Sequence, residues 1–418
     1  MNARQFHLLL KFGLPVDYRR RKLSSLLHPG SSRLYLETEI ERTMLEAFRS
    51  PERTIWINLF APTELLHALG LNPLFMEGMA ALVSGRGVEG EFIGVAEEMG
   101  IARTLCSYHR TIIGMAALGL FPRPAMVLST STLCDANVKT FGLVADMMGV
   151  PFELVDVPYE ASEEGLSYLT SQLRSLGERL SEIAGRDLSP EDLGRVIERA
   201  NAARSRMLEA YRLRKDRRIE PSNKGNFNQL FAAQTFMGSE VSLRYYGKLC
   251  GELREAPRHP DGGIRLLWLH LAPHYNGEVF DVISENGAGI IYEEMNQVYW
   301  DELDPERPYE SIARRLIANY GNGGTFRRVE LALRIARYLE VDGVIHFSQW
   351  GCRQSSGAIG IMKRRFEEEG FHFIGLDGDC VDSENYSSGQ FRTRLEGFLE
   401  MVASQRGLHR EDRCARGS

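Results

Sequence analysis

The chain has 418 residues and a formal charge of −6 at pH 7, with 43% apolar and 25% charged residues. These proportions match soluble globular proteins, no apolar run nears the ~18 residues of a membrane span, and the acidic balance argues against nucleic acid, whose phosphates call for a basic face. At roughly 150 residues per domain the length suggests two or three domains, and the start MNARQFHLLLKFGLPVDYRRRK lacks the ordered regions of a secretory signal, so a cytoplasmic location is expected.

Residues 1–50 read as an N-terminal helical region. Its basic run, Arg19 to Lys22, is answered by Glu37, Glu39 and Glu41 and reads as a solvated helix face. From 51 to 160, β-rich runs alternate with helical stretches, the pattern of an α/β domain with a parallel sheet. The predicted strands are TIWINLF (54–60), NPLFMEG (72–78), PAMVLST (124–130) and PFELVDV (151–157). Residues 161–258 are helical in period and rich in charge, a bridging segment. Within it Ser189 is suited to cap a helix whose first residue is Pro190. A second α/β domain, 259–418, offers IRLLWLHLA (264–272), AGIIYEE (288–294), DGVIHFS (342–348) and FHFIGLD (371–377).

The halves share a plan. The first strand of each runs into Ala-Pro, at Ala61-Pro62 and Ala272-Pro273, and the third runs into a cysteine, Cys134 or Cys352. One duplicated unit explains this, and the expected fold is two similar Rossmann- or flavodoxin-like domains with four-stranded parallel sheets. Cys106, at the start of a helix in the first half, has its counterpart near Gly324, where there is no cysteine.

Ligands gather outside the carboxyl ends of parallel strands. Cys134, Cys352 and Cys380 lie just past such ends, and Cys106 joins them if its helix points its N-terminus inward. A helix start favours the thiolate, the form that binds metal. Six cysteines, Cys106, Cys134, Cys250, Cys352, Cys380 and Cys414, are too scattered for a disulfide framework. Cys250 in a helix and Cys414 in the tail read as ordinary thiols. Ordinary burial as small hydrophobes is the competing explanation for the others. Thiolate-rich sites indicate zinc or iron–sulfur. The C-x₂₋₄-C pairs of structural zinc sites are lacking, and single ligands from distant loops suit a cluster wedged between domains, with zinc left open. The literal GxGxxG at Gly85, Gly87 and Gly90 follows no strand and reads as a decoy. His270 and His274 flank a strand end and read as crevice-lining or structural.

The stretches FAPTELLHALGLNPLF, TLCSYHRTIIG, STLCDANVK, VDGVIHFSQWGCR and GQFRTRLEGFLEM resemble the 2-hydroxyacyl-CoA dehydratase and benzoyl-CoA reductase family, over about residues 50–403. The resemblance implies an oxygen-sensitive subunit holding a [4Fe-4S] cluster between two α/β domains, with Cys106, Cys134 and Cys352 as ligands. It also implies an acyl-CoA substrate, a separate ATP-hydrolysing iron–sulfur activator, and a homologous second subunit or a second copy. One electron reaches the thioester carbonyl, and the ketyl radical anion formed there expels a neighbouring hydroxyl. Were Cys380 a fourth ligand, the cluster would be closed and the chain a relay or partner subunit. A double-cubane cluster would need more thiolates than are well placed. Glu64 and His109 are the candidates for proton transfer.

Overall fold

Trp56 and Trp268 are fully buried, each in an inner strand of a separate parallel sheet. The computed structural model describes residues 2–217, 227–258, 263–275, 277–296 and 301–416, with side chains as far as Gln405. The first sheet contains β1 (Thr54–Ile57), β2 (Asn72–Phe75), β3 (Met126–Thr130) and β4 (Phe152–Val155), in the order β2-β1-β3-β4. The second contains β5 (Ile264–Leu269), β6 (Ala288–Glu293), β7 (Gly343–Gln349) and β8 (His372–Gly378), in the order β6-β5-β7-β8. All pairings are parallel. The two sheets thus repeat one strand order, as duplication requires, and every strand was legible as an apolar run. The second run is shorter than expected as a strand: after Phe75 the chain turns directly into the helix Met76–Gly85.

Between the sheets, the helix Pro190–Arg214 begins where the sequence suggests, the Ser189 hydroxyl accepting from the Asp192 N–H at 3.0 Å. Its far end is fixed to the second domain by Arg214, which is buried and makes two bonds to Glu293, at 2.7 and 2.8 Å. The preceding helix, Glu163–Ala184, faces the first domain, where Arg53 donates to the Ala184 carbonyl at 3.2 Å. This helical segment therefore ties both domains to one frame.

The domains also meet directly. The loop after β8 lays Asp379 on the Ser107 hydroxyl and Asp382 on Arg110 (3.2 Å), while the Val381 carbonyl accepts from Ser84 at 2.7 Å. At the other terminus, residues 3–27 wind as nearly continuous helix and leave Phe12, Val16, Leu23, Leu26 and Leu27 exposed. Among the described residues, no helix is long and apolar enough to cross a membrane.

Candidate functional site

Two strand ends build the site by the same local device. After β3 the chain passes through Leu133, at φ 75°, and Cys134 takes the N-cap position of the helix Asp135–Met148. After β7 it passes through Gly351, at φ 73°, and Cys352 takes the N-cap of the short helix Arg353–Ser356. A left-handed residue directly before each cysteine turns strand into helix. Leu133 does so at a cost of order 1–3 kcal/mol, a strain typical of functional positions. Cys106 is the N-cap of the helix Ser107–Ala117. A Cβ on Gly351 would stand 2.7 Å from the Cys106 backbone nitrogen and 2.8 Å from the Thr104 carbonyl oxygen. The second domain therefore rests on the helix start of the first through a residue without a side chain.

Cys106, Cys134 and Cys352 line one cavity of about 520 Å³. Its apolar wall includes Phe60, Phe75, Phe231, Leu271 and Met295, and Arg86 also lines it as an exposed cation. Cys380 is fully buried but is not part of that wall; its backbone N–H donates to Gln349 Oε1 at 2.5 Å. Among the described residues, no group of three or more His, Cys, Asp and Glu side chains is placed to hold a metal ion.

Sequence reasoning expected helix starts to favour the thiolates, and in the protein alone burial outweighs them. It pushes Cys134 up to about 12, with the charge of Cys352 adding to it and the Asn137 and Ala136 N–H groups opposing. Burial raises Cys352 as well, against the pull of the Ser355 N–H and Arg328. Cys106 stands well above the ordinary thiol value through burial and the neighbouring Cys352 and Cys134. A cation among them would reverse that order, because a coordinated thiol loses its proton.

Nitrogen atoms face these sulfurs. His109 Nε2 lies 3.4 Å from Cys134 Sγ, His270 Nε2 lies 3.6 Å from Cys352 Sγ, and the Gln349 side-chain amide donates towards Cys106 Sγ at 3.6 Å. Burial lowers His109 to about 4 and holds His270 well below the ordinary imidazole value, with the charges of Arg328 and His346 adding to the effect. His274 instead meets the Tyr108 hydroxyl at 2.6 Å.

Of the two candidates for proton transfer, His109 lines the cavity and Glu64 does not. Glu64 is buried against Arg315, at 2.8 Å, across the domain boundary. A carboxylate that sequence reasoning missed stands in the cavity wall: Glu77, in the first turn of the helix after β2. Its Oε1 accepts from the Leu59 N–H at 3.2 Å, and the Asn137 side chain also stands against the carboxyl group. Burial pushes its pKa up to about 7, partly offset by that N–H. The signal was present in the repeat, since NPLFMEG and AGIIYEE both carry a carboxylate past the second strand.

Gly85 ends one helix and lines the cavity, and Gly90 is the second residue of the next, so the GxGxxG spans a helix–helix turn at the cavity edge. Cys250 donates to the Arg206 carbonyl at 3.2 Å and joins two helices of the middle segment. The Cys414 side chain lies outside the described residues.

The chain is 23% identical to the (R)-phenyllactyl-CoA dehydratase alpha subunit of Clostridium sporogenes, over 87% of this chain and 92% of that one. It is 22% identical to the (R)-2-hydroxyisocaproyl-CoA dehydratase alpha subunit of Clostridioides difficile, over 85% and 91%. A benzoyl-CoA reductase subunit of Thauera aromatica is 23% identical over 76% and 81%. The family model described as 2-hydroxyglutaryl-CoA dehydratase, D-component, matches residues 58–402, which takes in the whole second sheet, the first sheet from β2 onward and all of the converging cysteines, and the chain belongs to that family.

Proposed function

We propose that the chain is an iron–sulfur subunit of an acyl-CoA dehydratase, or of a related acyl-CoA reductase, with Cys106, Cys134 and Cys352 holding a [4Fe-4S] cluster. The observation that carries this reading is the convergence of three helix-start cysteines, drawn from both domains, on one largely apolar cavity. A single zinc ion draws all its donors to one point at about 2.0–2.3 Å, whereas thiolates bound to different irons of a cluster stand farther apart. The donor set here, single cysteines at three separate helix starts, suits the second arrangement. Cys380 does not line the cavity but stands near enough to feel the charges of Cys106 and Cys352, so the site is read as open with Cys380 beside it.

Bound there, a cluster would supply one electron to the thioester carbonyl of an acyl-CoA, the chemistry that lets a neighbouring hydroxyl leave. The protein's own residues do the rest. Phe60, Phe75 and Phe231 shield the acyl portion from water, and Arg86 suits a phosphate of coenzyme A. Glu77, uncharged up to about pH 7 and without a cation beside it among the described residues, is placed to accept or give a proton. The relatives include both the alpha and the beta subunit of one dehydratase, which supports work beside a homologous second subunit; the electron itself would come from an ATP-hydrolysing activator.

Purification without oxygen, followed by iron and sulfide analysis and a visible spectrum, tests the proposal. Cys106→Ala, Cys134→Ala and Cys352→Ala should each remove most of the bound iron, and Cys250→Ala should not. Iron-free protein, or full iron in any of the first three variants, defeats the assignment.

A further inference from the structure

Each of the three cavity sulfurs has one side-chain nitrogen within hydrogen-bonding reach, and the three nitrogens come from different elements. His109 sits on the helix that Cys106 caps, yet it faces Cys134, a residue of the loop after β3, at 3.4 Å. His270 follows β5, at φ 71°, and faces Cys352, which follows β7, at 3.6 Å. Gln349, the last residue of β7, reaches Cys106 at 3.6 Å, but its amide hydrogens also serve the Trp350 carbonyl (3.0 Å), Ser107 (3.2 Å) and Asp379 (3.3 Å).

The two histidines are alike in a second respect. Both are nearly fully buried, and the other ring nitrogen of each, Nδ1, has no hydrogen-bond partner among the described residues. A neutral imidazole carries one proton and must place it on one nitrogen. A sulfur that has lost its proton can only accept, so an Nε2 lone pair aimed at it would meet like charge, while an Nδ1 proton would meet nothing. The proton therefore belongs on Nε2 in both rings.

We propose that His109 and His270 each donate an Nε2–H···S hydrogen bond to a metal-bound thiolate, and thereby set the reduction potential of the centre as positioning residues. The inference rests on the iron–sulfur reading above. A hydrogen bond to the thiolate withdraws charge from sulfur and is stronger in the reduced, more negative state, so it favours reduction. The backbone of His270 is itself fixed, its N–H donating to Glu294 Oε2 at 2.8 Å, which holds the ring against Cys352 despite the left-handed conformation.

The experiment is a redox titration followed by EPR on protein purified without oxygen, with iron measured in every sample. His109→Leu and His270→Leu should each retain iron and shift the one-electron equilibrium on the order of tenfold towards the oxidised form, about 59 mV. His109→Gln and His270→Gln, which keep a side-chain N–H, should recover part of the shift. Full iron with an unmoved midpoint in both Leu variants overturns the inference and leaves the iron–sulfur reading standing. Should those variants lose iron, the wild-type protein carrying ¹⁵N-histidine decides: weak ¹⁵N couplings in pulsed EPR from non-ligand histidines support the bonds, and their absence overturns them. Wild-type protein without iron overturns both.

Discussion

Glu77 and Glu294 occupy matching places in the two domains and live in opposite electrostatic surroundings. Each follows the second strand of its sheet, and each accepts from a backbone N–H just past the first strand, Leu59 at 3.2 Å for Glu77 and His270 at 2.8 Å for Glu294. In the second domain Arg328, on the helix Thr325–Leu339, grips Glu294 with two bonds of 2.7 Å, and neither side chain reaches solvent. The corresponding helix of the first domain also carries an arginine four residues past its N-cap, but Arg110 turns away to Glu97 (2.7 Å) and Asp382 (3.2 Å). Glu77 is left in the cavity wall with no ion pair among the described residues. One copy of the unit became a brace, and the other kept a titratable group where substrate would lie.

Breaking that contrast on the reactive side has the largest expected consequence. In an assay with an activator and an accepted acyl-CoA, Glu77→Gln should lower turnover by about 10²–10⁴-fold, the range of a lost general acid or base. Iron content should be unchanged. Turnover within a few-fold of wild type would remove Glu77 from the chemistry. On the other side, Arg328→Met leaves Glu294 buried without its partner and should cost about 3–5 kcal/mol of stability in urea denaturation. Adding Glu294→Gln should restore much of the loss, because it is the stranded charge that is expensive; a double variant no better than the single would show that Arg328 acts chiefly through its 2.6 Å bond to the Gln354 carbonyl.

The same contrast predicts a pH effect. The folded-state pKa of Glu77 is raised from an ordinary 4.5 to about 7. A raised value means that its contribution to stability is fully present below about pH 4.5 and is lost as pH rises through about 7. Relative to wild type, Glu77→Gln should therefore gain stability across that window, by up to about 3 kcal/mol. A difference between the two proteins that stays constant from pH 5 to 8.5 would mean that the carboxylate is not held protonated.

How far the sequence disclosed this follows from the range of each interaction. The strands were legible because each is a local apolar run bounded by turn residues. Cys134 and Cys352 were legible because a cysteine past the third strand recurs in both halves. The pairings His109 with Cys134 and His270 with Cys352 were not, since 25 and 82 residues separate the partners and only the tertiary fold sets the direction of each ring. Glu64 and Glu77 show the same limit. Both lie in the first turn of a helix that follows a strand of the first sheet, and nothing local says that one faces Arg315 and the other the cavity.

Leu133 and Gly351 offer the finest comparison, because their φ angles agree within a few degrees and their surroundings do not. Leu133 bears the left-handed conformation with a side chain that packs on Gly321, where an added Cβ would lie 2.1 Å from it. Gly351 has no such room: a methyl group there would meet the Cys106 backbone nitrogen as well as the strain at φ 73°. Gly351→Ala should thus cost about 1–3 kcal/mol from the backbone alone, and relief of the clash requires the Cys352 loop to move off the Cys106 helix. The variant should bind less iron than wild type while Cys134 and its loop are untouched. Full iron with only a lower denaturation midpoint would show that the domains can part slightly at Gly351 without losing the alignment of their sulfurs.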